Sequence, residues 1–373
     1  MYLLPKPKTI KEQDGQMLLC HSTHIVMTKE VAETEMHAAK RLQEAIRQET
    51  GLILPFSVGE VREGDLSLGI AKTLPEQTYE ITIDEKGGQI SGGDGAGVLY
   101  GVETFCQIVQ QCGGILPCVQ IQDAPDMPNR GYYFDQTRGR VLKLEELKKI
   151  ADRMCRYKLN QLQLYVEHTY LFRDFSEMWR DQTPLTAEEI LELDSYCRER
   201  HIELVPSLAS FGHLCTLLST KTYGDLCEME DSWKEPFSFW NRMRYHTINV
   251  SDERSLPLIK KMIAEYMQLF SSNKFNICAD ETFCLGKYKS KKLAEERGVH
   301  RLYIDYVKEL AQFLVENGKI PMFWGDIIWN SPELMKELPE SMICLNWGYA
   351  PEQREDETRA IAQTGAVQYL CPG

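Results

Sequence analysis

The chain has 373 residues, 43% hydrophobic and 26% charged, an ordinary globular balance with room for one large domain and a smaller one. Its net charge of −13 argues against nucleic acid as a partner, because phosphate contacts need clustered Lys and Arg and no such cluster occurs. No run of about 18 apolar residues is present, so no membrane-spanning helix is expected.

The opening stretch MYLLPKPKTIKEQDG has no apolar core of the signal-peptide kind. The twelve Cys show no C-x-x-C spacing, so no metal site is expected, and reduced thiols point to a cytoplasmic setting. Residues 35–51 read as an amphipathic helix closed by Gly51. Residues 65–71 and 77–84 read as strands, and 95–114 as a helix bounded by glycines. Together they predict a small α+β domain over 1–124, with the Pro-rich stretch 123–130 as its boundary.

Beyond residue 125 the pattern changes. Short apolar strands at 131–137, 161–168, 203–210, 275–281, 321–327, 342–349 and 367–373 alternate with helical stretches such as 143–158 and 252–272. Steady alternation predicts an α/β fold with a parallel sheet, and this many units predict a (β/α)8 TIM-type barrel over 125–373. A doubly wound sheet would want a Gly-rich phosphate turn after its first strand, and FDQTRGR does not supply one. Seven strands are read rather than eight, so the last barrel unit is expected to be missing.

In such barrels the chemistry sits at the carboxyl ends of the strands. Polar and aromatic residues recur there: Asp135 and Arg138, then Glu167, His168 and Thr169, then His213, Asp280 with Glu281, Trp324 with Asp326, Trp347 and Tyr369. Strand alternation places Asn276, Cys278 and Asp280 on the lining face and gives Glu281 the opposite parity. The two acids are therefore expected in unlike surroundings, with their pKa values pushed apart. Metal hydrolases want His-rich shells, and the eight His include no H-x-H. Enolase-type magnesium sites want acids spread over successive strands, which Asp135, Glu167 and Asp280 imitate weakly. Glycoside hydrolysis wants a proton donor, stabilisation of positive charge and aromatic walls, and Glu281, Asp280, Trp324, Trp347 and Tyr369 fit that set best.

At these residues the chain resembles the family 20 glycoside hydrolases, the β-N-acetylhexosaminidases, over roughly 75–373. The run RGYYFDQTRGRVLKLEELKKIADRMCRYKLNQLQL is similar to the first barrel unit of that family, and TINVSDERS with FNICADETF to the approach to its acid pair. Cys278 and Ala279 stand where relatives usually carry two glycines. The resemblance implies a substrate with a terminal β-linked N-acetylhexosamine and no cofactor. It implies substrate-assisted, retaining hydrolysis, in which Glu281 is the acid/base and Asp280 steers the acetamido group through an oxazolinium ion. It further implies that Arg130 grips the sugar 3- and 4-hydroxyls, that Trp324 and Trp347 wall the acetamido pocket, that Tyr369 bonds the acetamido oxygen and that His213 is linked to Glu281. Relatives carry an Asp pair after the second strand, where Glu167, His168 and Thr169 stand here. They also carry an acid where Ala209 stands, and often another at Cys371. An inactive carbohydrate-binding protein on the same scaffold is the competing expectation. Nothing in the sequence bears on oligomeric state.

Overall fold

The computed structural model describes residues 1–352 and 354–373. They form two compact units. The first holds Met1–Tyr132, Glu145–Gln161 and Ser195–Glu203; the second holds Tyr133–Leu144, Leu162–Asp194 and Leu204–Gly373.

The first unit is built on strands β1 (Thr9–Leu18), β2 (Ile25–Met27), β3 (Phe56–Val58), β4 (Leu66–Ile70), β5 (Tyr79–Asp84), β6 (Gly87–Gly92) and β7 (Ile115–Asp123), in the spatial order β1-β7-β5-β6-β4-β2-β3. Pairing is antiparallel from β1 to β6 and parallel beyond. Along β5 the residues Tyr79, Ile81 and Ile83 are buried in alternation, as a half-buried strand requires. Helix Met36–Thr50 ends at Gly51, whose φ of 75° closes it in the left-handed region open to glycine. Helix Gly95–Cys112 is buried along most of its length and starts at Asp94, which accepts the Gly97 amide. Its one deeply buried acid, Glu103, is answered by the Arg41 guanidinium.

The second unit carries β8 (Gly131–Asp135), β9 (Gln161–Val166), β10 (Glu203–Leu208), β11 (Lys274–Asn276), β12 (Ile320–Trp324), β13 (Ile343–Gly348) and β14 (Val367–Pro372), adjacent in sequence order in one parallel sheet. Helices such as Ser255–Tyr266 and Val299–Glu316 connect them. This is a partial (β/α) barrel of seven strands. In helix Val299–Glu316 the buried residues Leu302, Tyr306, Leu310 and Leu314 recur at helical spacing and make its core stripe. Phe275 of β11 packs edge-on against Tyr266, 6.4 Å between ring centres. The opposite face of the sheet is unusually polar for a barrel interior. Asn276 donates to Gln163 at 3.0 Å, and the Tyr133 hydroxyl, Ser207 hydroxyl and Cys278 thiol form a chain of 3.0 and 3.3 Å contacts. No helix among the described residues is long and apolar enough to cross a membrane.

Two expectations are corrected here. The strand read over 275–281 stops at Asn276, three residues into the sheet. Strand alternation therefore does not govern Cys278–Glu281, where φ values of 57°, 63° and 48° at Cys278, Ala279 and Glu281 turn the backbone left-handed. Smallness at 278 and 279 is thus only part of what two glycines would supply, because the conformation itself is the one glycine adopts without strain.

Candidate active site

The turn after β11 is held by its backbone. The Asn276 side chain accepts the Cys278 amide at 2.8 Å. Ser210 donates to the Ile277 carbonyl at 2.6 Å, the Trp324 amide to the Cys278 carbonyl at 2.9 Å, and the Tyr303 hydroxyl to the Ala279 carbonyl at 3.0 Å. The Asp280 carbonyl lies where a side chain on Gly212 would be, 2.5 Å from its Cβ position, so only glycine fits there. The Glu281 amide donates to Asp326 at 2.9 Å. Five backbone groups of Ile277–Glu281 thus have a partner, which helps non-glycine residues to persist in a strained conformation.

Both acids converge on one histidine. His213 Nε2 lies 3.3 Å from Asp280 Oδ2 and 3.3 Å from Glu281 Oε2, between the two and aligned with neither, an ion pair rather than a straight hydrogen bond. The two acids thus share one counter-ion. Burial opposes charge on His213, but the Asp280 carboxylate, with Glu281 and Glu167 behind it, pushes the imidazole up to about 10. In return His213 holds the Asp280 carboxyl below its usual range against the effect of burial, and Arg138 adds to it. The acid driven the other way is Asp326. Burial and then the neighbouring charges of Asp280 and Glu281 raise it to about 7.

One oxygen of the pair is left over. Asp280 Oδ1 is buried and has no hydrogen-bond partner among the described residues, and Glu281 keeps about a quarter of its side chain exposed. The site thus presents a buried, charged acceptor beside a carboxyl that solvent can reach. The ligating atoms of His213, Asp280 and Glu281 also lie within 4.8 Å of one another, close enough for a cation. A protonated imidazole has no lone pair to give, however, and itself supplies the positive charge these carboxylates need.

Of the residues expected at the rim, Trp324 ends β12 and meets Tyr133 edge-to-face at 4.9 Å. Trp347 ends β13, half-buried, with Trp329 at 5.9 Å and Tyr349 at 5.1 Å. Tyr369 lies in β14, register-paired with Leu345 and half-buried. Arg130, expected to grip the sugar hydroxyls, already has partners. It belongs to the first unit, where its guanidinium is spent on the carbonyls of Lys158, Met127 and Pro128 and on Gln77 and Tyr100. The guanidinium whose charge acts through space on Asp280 is that of Arg138. It caps β8 through Asp135 at 2.6 Å, lies 4.7 Å over the Tyr165 ring and touches Met243. The Arg138 position was visible as a strand-end residue three places after Asp135; its pairing could not say which arginine faces the site.

The relay behind His213 is also altered. Glu167 is buried and already accepts from Tyr165 and Arg242, both at 2.9 Å, so it raises His213 only through space. His213 Nδ1 has no partner among the described residues. His168 lies buried 3.9 Å from Glu167, and burial pulls its pKa below the usual value against the Glu167 charge.

A parallel sheet with an acid pair, a guanidinium and aromatic walls at its carboxyl rim has the layout of a glycoside hydrolase. Residues 1–124 match the description "Glycosyl hydrolase family 20, domain 2", and residues 128–372 match "Glycosyl hydrolase family 20, catalytic domain". The chain belongs to glycosyl hydrolase family 20. It is 24% identical to a beta-hexosaminidase of Porphyromonas gingivalis, covering all of this chain and 50% of that protein. It is 26% identical to a beta-hexosaminidase of Vibrio furnissii, covering 75% of this chain and 48% of that one. The chain therefore spans about half the length of these relatives. In fold it superposes on a family 20 exo-beta-N-acetylglucosaminidase of Vibrio harveyi, solved with N-acetylglucosamine, at a TM-score of 0.81 and 19% identity, over all of this chain and 60% of that one.

Proposed function

We propose that this chain carries the catalytic centre of an exo-acting β-N-acetylhexosaminidase that removes terminal β-linked GlcNAc or GalNAc by substrate-assisted hydrolysis. The observation that carries the reading is Asp280 Oδ1, buried, charged and without a partner, next to a half-buried Glu281. An acetamido N–H is a donor of the kind that oxygen lacks. In the first step the acetamido oxygen attacks the anomeric carbon, the glycosidic C–O bond breaks, and Glu281 gives its proton to the departing oxygen. Asp280 accepts the N–H and stabilises the positive charge of the oxazolinium ion. Glu281 then takes a proton from water, which opens the ring at the anomeric carbon with retained configuration. His213, protonated, holds Asp280 charged throughout. Arg138 takes the hydroxyl-binding role first expected of Arg130, and Trp324, Trp347 and Tyr369 line the acetamido pocket. Twelve cysteines, with no disulfide among the described residues, fit a reducing, cytoplasmic setting.

The test is turnover of 4-nitrophenyl β-GlcNAc and binding of GlcNAc-thiazoline, a mimic of the oxazolinium ion. Asp280→Asn should lose most turnover and weaken thiazoline binding; near-normal turnover in that variant would end the reading. Activity should survive a chelator. A second reading, sugar binding without turnover, is favoured by the unpartnered His213 Nδ1, and thiazoline binding with no hydrolysis would establish it.

A further inference from the structure

The segment between β10 and β11 contains SWKEPFSFWNRMR, residues 232–244. Within eight residues it exposes four large aromatic side chains: Trp233 at 60%, Phe237 at 84%, Phe239 at 56% and Trp240 at 63%. Single exposed aromatics need no explanation, but four together mark a binding surface. The short helix Phe239–Arg244 is fastened to the acid-pair site by its other residues. Arg242 bonds Glu167, Met243 meets Arg138 at 3.3 Å, and the Arg244 carbonyl accepts the thiol of Cys284, three residues past Glu281. These anchors fix the helix against the site and leave Phe239 and Trp240 turned to solvent beside it. Arg244 lies 5.2 Å over the Trp240 ring, which steadies one face of the indole.

We propose that this aromatic strip binds the leaving-group side of an extended β-linked N-acetylhexosamine chain. The inference rests on the exo-acting reading above. In an exo enzyme the terminal sugar fills the pocket, so the rest of the glycan must leave across the surface bordering it. The C–H faces of pyranose rings stack on flat aromatic rings, and their equatorial hydroxyls need polar groups at the edges. Trp233 borders a groove of about 590 Å³ whose walls include Lys221, Asp225, Glu230 and Lys289. That volume lies within the range of ligand pockets, about 300–1,000 Å³. Its mixture of aromatic and hydrogen-bonding groups suits a sugar better than an apolar partner.

The test compares kcat/KM of the full chain on 4-nitrophenyl β-GlcNAc with that on β-1,4-linked GlcNAc oligomers of two to four units. The wild type should gain with oligomer length. Trp240→Ala and Phe239→Ala should each cost about tenfold on the longer oligomers, the effect of losing one good ring stack. Both variants should stay within twofold on the aryl glycoside, with unchanged melting temperature. Equal loss on both substrates, or a wild type that cleaves the aryl glycoside without any gain from length, would overturn the platform and leave the catalytic reading standing. So would a wild-type dimer that both variants dissolve with the length dependence intact, since the strip would then be a self-association surface. Failure of the wild type both to cleave the aryl glycoside and to bind thiazoline would bring down the catalytic reading, and the platform with it.

Discussion

Asp280→Asn removes the charge that does most to keep His213 protonated. A buried imidazole standing alone titrates below 6.5, yet here it is pushed up to about 10. From 6.5 to about 10, at about 1.4 kcal/mol per pH unit, the site stabilises the imidazolium by a net of roughly 4–5 kcal/mol, after the opposing effect of burial. Asp280 is the largest favourable contributor, so it carries the largest part of that stabilisation, counted once for the pair. The asparagine variant keeps the shape and loses that share. Its His213 should titrate well below the wild-type value. The stability effect has a definite sign. A group whose folded pKa is raised contributes fully below its unfolded value and loses that contribution as pH rises through the folded one. The wild type should therefore be the more stable protein near pH 6, with the difference shrinking between pH 6.5 and about 10. Histidine Cε1 NMR over that range reads the titration, and urea melts at pH 6 and pH 10 read the stability. A variant in which His213 stays protonated above pH 9, or a stability difference constant across the range, would refute the reasoning.

Asp326 should act in the same direction at lower pH. Its folded pKa is raised to about 7, so the native state holds a proton that the unfolded chain has already released, and stability falls as pH rises from about 4 to 7. Asp326→Asn should flatten that fall while still accepting the Glu281 amide, as urea melts across the range would reveal. The two arginines should separate cleanly. Arg138→Ala is expected to lower kcat/KM at least tenfold at nearly constant melting temperature. Arg130→Ala, which abandons several carbonyls, should cost about 2–4 kcal/mol of stability with normal activity per folded molecule in a calorimetry and turnover comparison. Gly212→Ala must push its methyl into the Asp280 carbonyl, and its residual activity should fall far more than its helix content.

The alternation of strands and helices was legible because apolar runs and turn residues follow local rules. Helix 36–50 was readable to within a residue, since its stripe and terminal glycine are both local signals. β1 escaped because TIKEQDGQML is almost wholly exposed along the sheet edge and carries no apolar alternation. The acid pair was visible as two charges ending an apolar run. Its histidine was visible only through the family resemblance, because the left-handed turn at 278–281 is imposed by Ser210, Tyr303, Trp324 and Asp326, which lie far away in the chain. Arg130 and Arg138 posed the same difficulty. Both flank β8, and only the three-dimensional partners show which guanidinium is already engaged.

The way the Ile277–Glu281 backbone is held bears on how portable this chemistry is. Its groups are gripped by the loop after β10, by β12 and the residues just beyond it, and by the 299–316 helix. A graft of FNICADETF onto another parallel sheet would carry the carboxyls without their conformation. Residues 210–213, Tyr303 and 324–326 would have to travel with it. By the same reasoning, mutational drift should be freest at walls such as Trp347 and Tyr369, which make none of the backbone bonds described for the turn. New substrate preferences would then arise around an unaltered acid pair.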